Sequence, residues 1–204
     1  MTEVPSERPL LVAMTGATGA IYGVRLLETL YDLGVETHLV VSRWAEATIK
    51  TETDKRLDDV CALATAVYDE EDLAAPPASS AFATAGMIVA PCSMRTLAMV
   101  ANGLCDNLIQ RAAEVHLKEN RKLLLLVRES PLSVIHLENM LRVAKAGAVV
   151  APPVPAFYAK LRSLDDMVDH TVGRALDQLG VEHERIRRWG ERRAVLRPIE
   201  AEDG

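Results

Sequence analysis

Cysteine is scarce in this chain of 204 residues: Cys61, Cys92 and Cys105 are the three it has. Three thiols at irregular spacing cannot form a disulfide framework, and no C-x-x-C pair is present to hold zinc or run thioredoxin-type exchange. A basic excess is missing as well. Lys and Arg number 23 against 29 Asp and Glu, a formal charge of −6, which is the wrong balance for a nucleic-acid partner or a polybasic membrane-bound face. No apolar run approaches the ~20 residues of a membrane span, and residues 1–8 carry no apolar signal core. The sequence also lacks internal repeats and low-complexity tracts. These absences point to a cytoplasmic protein of a reducing compartment, with no nucleic acid and no membrane among its partners. They leave a small anionic ligand open, because net charge does not fix local charge.

Apolar residues make up 49% and charged residues 25%, the proportions of a globular domain. Apolar runs alternate with helical periods, the signature of a parallel sheet covered by helices. Strands are expected at 10–14, 35–41, 86–90, 122–127 and 148–151. Helices are expected at 20–33, at 94–101, and from a cap at Asp106 to residue 120. Ser130-Pro131 reads as an N-cap with proline at the first helical position, opening a helix to Ala146. Ser163-Leu-Asp-Asp166 is a capping box for a helix reaching Leu179. Residues 44–66 have a weaker helical pattern, and 74–80, with Pro76-Pro77, reads as a loop. The arginine-rich tail after Gly180 reads as a fraying helix. The expected fold is a single α/β domain, a doubly wound, flavodoxin- or Rossmann-like parallel sheet with helices on both faces. Ligands of such sheets bind outside the carboxyl ends of the strands.

Gly16-Ala-Thr-Gly19-Ala-Ile-Tyr-Gly23 joins the first strand to the first helix. Glycines there let a phosphate approach the backbone, and a helix start offers free N–H groups and a positive dipole end. The spacing is G-x-x-G-x-x-x-G, not the dinucleotide G-x-G-x-x-G, and Ser42-Arg43 stands where an acidic residue would hold an NAD ribose. A tight turn with close packing is the competing explanation. Pro91-Cys-Ser-Met-Arg-Thr96 repeats the arrangement after the third strand, with hydroxyls from Ser93 and Thr96. Two such helix starts at neighbouring strand ends suggest a nucleotide between them.

These segments resemble motifs of the UbiX-type flavin prenyltransferase family. So do Asp106-Asn-Leu-Ile-Gln-Arg-Ala-Ala113, Arg128-Glu-Ser-Pro-Leu132, His136-Leu-Glu-Asn-Met140, Pro155-Ala-Phe-Tyr158 and Val172-Gly-Arg174. The seven motifs run in order between residues 9 and 181. The resemblance implies an FMN-binding flavoprotein domain over 1–181, with an arginine-rich extension over 182–204. It implies a homo-oligomer, a dodecamer, that moves the dimethylallyl group of dimethylallyl phosphate onto reduced FMN. The product, prenylated FMN, would serve a partner decarboxylase.

By the same resemblance FMN is held by Gly16, Ala17, Thr18, Ser42, Ser93, Met94, Arg95, Thr96 and Arg128. Where Thr18 stands the family usually has Ser, so the hydroxyl is kept with one more methyl. Arg111, Lys118, Tyr158 and Arg174 are carried onto the substrate-phosphate site, with Glu52 and Trp189 beside the substrate. Arg111 and Lys118, seven apart, share one helix face, and cations with a phenol suit a monophosphate leaving group without a metal. Glu129, at a strand end among cations, is placed as general acid–base, with Thr18 and Lys118 as further catalytic groups. The four cations Arg111, Lys118, Arg128 and Arg174 are expected to converge on one cleft.

Three other patterns carry less. Asp165-Asp-Met-Val-Asp169 matches a D-D-x-x-D magnesium motif, but it sits once, at a capped helix start, where carboxylates offset the dipole. His136-x-Glu138 lacks the P-C-x-x-C half of a zinc-deaminase signature and reads as packing or an oligomer contact in mid-helix. Cys92, at a helix start, has no base placed beside it and reads as a small packed residue. Two other functions fit the flavin motifs. A non-catalytic FMN-binding accessory subunit could lose the phosphate clamp, which is kept here. An FMN-dependent cysteine decarboxylase needs a His near the first helix, where this chain has Tyr22 and Val24.

Overall fold

The computed structural model describes residues 8–185. Six parallel strands form one sheet in the order β3-β2-β1-β4-β5-β6. They are β1 (Leu10–Met14), β2 (Thr37–Val41), β3 (Ala66–Tyr68), β4 (Gly86–Cys92), β5 (Leu123–Val127) and β6 (Val149–Val150). Every residue of β1, β4 and β5 is buried, as apolar runs must be when helices cover both faces of a parallel sheet. Alternation along the strands sorts side chains into two cores. Leu10, Val12, Leu124 and Leu126 face one way with the helices α1 (Ala20–Asp32), α2 (Arg43–Glu52), α3 (Leu57–Cys61) and α7 (Leu164–Leu179). Leu11, Ala13, Leu123 and Leu125 face the other way with α4 (Met94–Ala101), α5 (Leu108–Lys118) and α6 (Val134–Lys145).

The doubly wound architecture expected from the sequence is the one observed, and several details differ. The edge strand β3 was not anticipated, and the weak pattern over 44–66 resolves into α2 and α3. Strand β4 runs two residues past Ala90, across a register shift between Val89 and Cys92, the kind of irregularity that admits a proline inside a sheet. Asn107, not Asp106, caps α5 by accepting from the Gln110 N–H. Ser133, not Ser130, caps α6 in a capping box with His136, so His136 stands in the first turn and not in mid-helix. The capping box of α7 is as expected. Helix α7 also closes on α1, where Arg25 pairs with Asp165 at 2.9 Å and Asp169 at 2.5 Å.

Candidate functional site

The strand order reverses between β1 and β4, so the helices that follow them leave toward opposite faces and open a crevice at the carboxyl ends. Thr15 fastens the two sides of this crevice. Its Oγ1 donates to the Pro91 carbonyl at 2.7 Å and accepts from the Ser93 N–H at 2.8 Å. Ser42 and Ser93 cap α2 and α4, each accepting from an N–H three residues on, and the Ser93 hydroxyl donates to Thr96 Oγ1 at 3.1 Å. Gly16 and Thr18 are exposed, whereas Ala17 and Thr96 are buried beneath them. Met94 and Arg95 open α4, where first-turn N–H groups have no intrahelical acceptor.

The glycine loop owes its composition to protein neighbours as well as to any ligand. A Cβ on Gly16 would lie 2.3 Å from the Trp44 Cβ, and one on Gly23 would lie 2.3 Å from the Ala90 carbonyl oxygen. Gly19 holds φ +101, a region L side chains avoid. The close-packing explanation therefore holds at Gly16 and Gly23.

Glu52, from the last turn of α2, reaches back to the start of α1. Its Oε2 accepts from the N–H groups of Gly19 at 2.7 Å and Ala20 at 2.9 Å. Helix α1 has no capping side chain of its own and no acidic residue in its first turn. The anion position expected there is thus filled by the chain's own carboxylate, Glu70 does the same for the Arg43 N–H at the start of α2, and the start of α4 is left for a ligand phosphate. Tyr22, in the first turn of α1, has its phenol pushed up by burial, against the opposing charge of Arg128.

The substrate-phosphate residues are not gathered by one chain. Arg128 and Glu129 follow β5 at the carboxyl ends, the Arg128 N–H donating to the Cys92 carbonyl. Lys118 ends α5 at the opposite edge of the sheet, just before Lys122, whose carbonyl receives the Met87 N–H as β4 begins. Arg111, ~10 Å up the same helix, donates to the Ala78 carbonyl and pairs with Glu114. Arg174 and Tyr158 belong to the other face, Arg174 paired with Asp177 at 2.8 Å. Lys118 is paired with Glu119, and the Glu129 carboxylate accepts from its neighbour's Ser130 N–H. The expected convergence of four cations is therefore absent within a single chain. Trp189 lies outside the described residues.

Sequence reasoning passed over Thr15 and Glu70. The Glu70 carboxylate accepts from the Arg43 N–H at 2.6 Å and the Asn107 amide at 2.9 Å, tying α2 to α5. Its position just after the unrecognised β3 was the missing signal. Cys92 is fully buried and its thiol is pushed up to about 12, mainly by desolvation, which leaves it inert as read. Asp166 completes the capping box of α7, accepting from the Ser163 and Arg162 N–H groups, while Asp165 and Asp169 face Arg25.

A doubly wound sheet with a hydroxyl-lined crevice at its switch point defines a nucleotide-cofactor protein of the α/β class. The family model described as Flavoprotein matches residues 2–176. A probable UbiX-like flavin prenyltransferase of Bacillus subtilis (strain 168) is 58% identical over 180 residues, covering 88% of each chain. The crystal structure of AnUbiX (PadA1) in complex with FMN and dimethylallyl pyrophosphate superposes with a TM-score of 0.88 at 55% identity, over 89% of this chain and 97% of that one. A dodecameric FMN-dependent UbiX-like decarboxylase from Escherichia coli O157:H7 gives a TM-score of 0.87 at 53% identity, over 89% and 98%. The chain belongs to the UbiX-like flavin prenyltransferase family of flavoproteins. The cysteine decarboxylase TvaF, at 18% identity and a TM-score of 0.63 over 86% and 99%, shares the fold alone. Among the described residues no helix is long and apolar enough to cross a membrane.

Proposed function

We propose that the protein is a flavin prenyltransferase, transferring the dimethylallyl group of dimethylallyl phosphate to reduced FMN and supplying prenylated FMN to a decarboxylase in the cytoplasm. The observation that carries this reading is the crevice between β1 and β4, where Ser42, Ser93 and Thr96 and the open first turn of α4 offer hydroxyl and N–H donors matched to a phosphate. The donor set fits FMN. Gly16, Ala17 and Thr18 border the crevice from the β1 side, and Met94, Arg95 and Arg128 complete its rim. When bound, FMN supplies the ring that accepts the prenyl group. The chain's own part is electrostatic and acid–base. Arg111, Lys118, Tyr158 and Arg174 hold the phosphate and stabilise its charge as it leaves; Glu129 exchanges the proton, with Thr18 and Lys118 assisting; Glu52, with Trp189 from the extension, lies beside the substrate.

Because α5 and α7 lie on opposite faces of the sheet, the clamp needs more than one subunit. A closed homo-oligomer such as the dodecamer of the Escherichia coli relative would bring Arg111 and Lys118 of one chain to Tyr158 and Arg174 of another. The domain of 1–181 carries the flavin, and 182–204 forms an arginine-rich extension. Incubation with FMN, a reductant and dimethylallyl phosphate should yield a flavin heavier by one prenyl unit. Recovery of unmodified FMN alone would refute the assignment. Glu129→Gln should slow the transfer by at least ~100-fold while FMN still binds, and unchanged turnover would remove Glu129 from the mechanism.

A further inference from the structure

Residues 152–163 cross the outer surface of α7 as an arm between β6 and that helix, and two cavities of about 380 and 350 Å³ lie along it. His170 lines both cavities. It is 7% exposed, and Arg174 follows it one turn later on the same face of α7. Tyr158, on the 3₁₀ turn Phe157–Ala159, meets this imidazole edge-on, with ring centroids 5.9 Å apart and planes at 80°. Its hydroxyl lies 3.4 Å from His170 Nε2.

A histidine placed there only to fill space would be replaceable by an apolar residue, as its neighbours Val168 and Val172 on α7 already are. The contact through Nε2 asks for more. We propose that His170 is a positioning residue, whose Nε2–H donates to the Tyr158 oxygen and so turns the phenolic proton outward to a substrate phosphate held by Arg174. This rests on the reading of Tyr158 and Arg174 as phosphate ligands. A tyrosine hydroxyl that accepts from one side can donate to the other, so the imidazole orders the phenol without touching the substrate. The separation is long for such a bond, and contacts of this kind shorten once a ligand engages the donor. Burial and the nearby Arg174 hold the imidazole below its ordinary range, with Asp177 acting against them. It is neutral at pH 7 and adds no second cation to the site.

The test is a mutant cycle on the full-length, FMN-loaded assembly, reading kcat, KM for dimethylallyl phosphate, and the Kd of inorganic phosphate by calorimetry. His170→Phe should raise KM and the phosphate Kd by about tenfold with kcat within about twofold, the size of one hydrogen bond. Tyr158→Phe removes the phosphate ligand itself and should raise KM and the phosphate Kd by at least as much and lower kcat as well. The double variant should be no worse than Tyr158→Phe alone, because His170 acts only through that hydroxyl. His170→Gln, which returns an N–H near the Nε2 position, should recover most of the loss. Multiplying effects in the double variant, or FMN affinity falling together with KM, would overturn the assignment, as would wild-type constants in His170→Phe. If His170→Phe fails to assemble, His170→Asn carries the cycle, since its amide is too short to reach Tyr158. A wild-type enzyme that binds phosphate but makes no prenylated flavin would count against the prenyltransferase reading. The calorimetric cycle would still decide the role of His170.

Discussion

The crevice at the switch point and the phosphate clamp are built on opposite plans. The crevice is complete within one chain. Thr15 joins its two walls, Ser42 and Ser93 cap its helices, and Glu52 fills the start of α1. The clamp is dispersed, with Arg111 and Lys118 on one face of the sheet, Tyr158 and Arg174 on the other, and each of the three cations paired with a local carboxylate. On the proposed reading, one chain is prepared to hold a flavin before assembly and to bind a prenyl donor only afterwards. Cofactor binding and donor binding should therefore respond to different perturbations.

The largest effect expected from this contrast is functional complementation. Lys118→Ala and Arg174→Ala should each lower turnover by ~100-fold or more while FMN affinity stays within about twofold. Mixed assemblies of the two should regain activity in about a quarter of their sites if the residues come from different subunits. No recovery on mixing would place the whole clamp within one chain.

The crevice should break differently. Gly16→Ala drives a methyl into the Trp44 Cβ, an overpacking worth about 1–3 kcal/mol, and FMN affinity should fall with stability. Trp44→Ala should give no rescue because it keeps that Cβ, whereas Trp44→Gly should; urea unfolding and flavin titration read both. Thr15→Val keeps the shape but strips the Ser93 N–H of its acceptor and the Pro91 carbonyl of one donor, so about 1–2 kcal/mol should be lost. Stability that stays level would mean that the two walls do not depend on Thr15.

The smallest effect lies on α5, at a buried histidine between Arg111 and Lys118. His116 accepts from the Thr84 hydroxyl at Nε2 and donates from Nδ1 to the Ala112 carbonyl, and burial holds its pKa below the ordinary value of 6.5. The unfolded chain therefore takes up a proton more readily than the folded one. The stability associated with the neutral imidazole is full above pH 6.5 and is lost as pH falls through the lowered folded value. His116→Gln should cost stability at pH 7.5 and should make unfolding less sensitive to acid as the pH falls below 6.5. An unaltered pH slope would assign the acid sensitivity to other groups.

Much of this was legible in the residues. The all-apolar strands, the Gly34 and Gly180 stops and the Ser163 capping box are local signals, and local physics fixed them. The crevice followed from where strands end. What escaped depended on partners distant in sequence. Thr15 looks like any small residue until Pro91 and Ser93 arrive beside it. Glu52 reads as an exposed helix carboxylate until α1 presents its N–H groups, and β3 is too short to show a period. The convergence of the four cations came from the family resemblance, which leaves open which subunit supplies each residue.

The packing of α7 on α1 bears on how the chain is made. Val168, Val172, Leu176 and Leu179 complete the same core as Val24, Leu27 and Leu30, so among the described helices the first to leave the ribosome waits for the last. At synthesis rates of about 5–20 residues per second, α1 stays without its partner for roughly 7–30 s. That interval, not the finished domain, is when this protein is most exposed to aggregation, and chaperone contact would be most useful there.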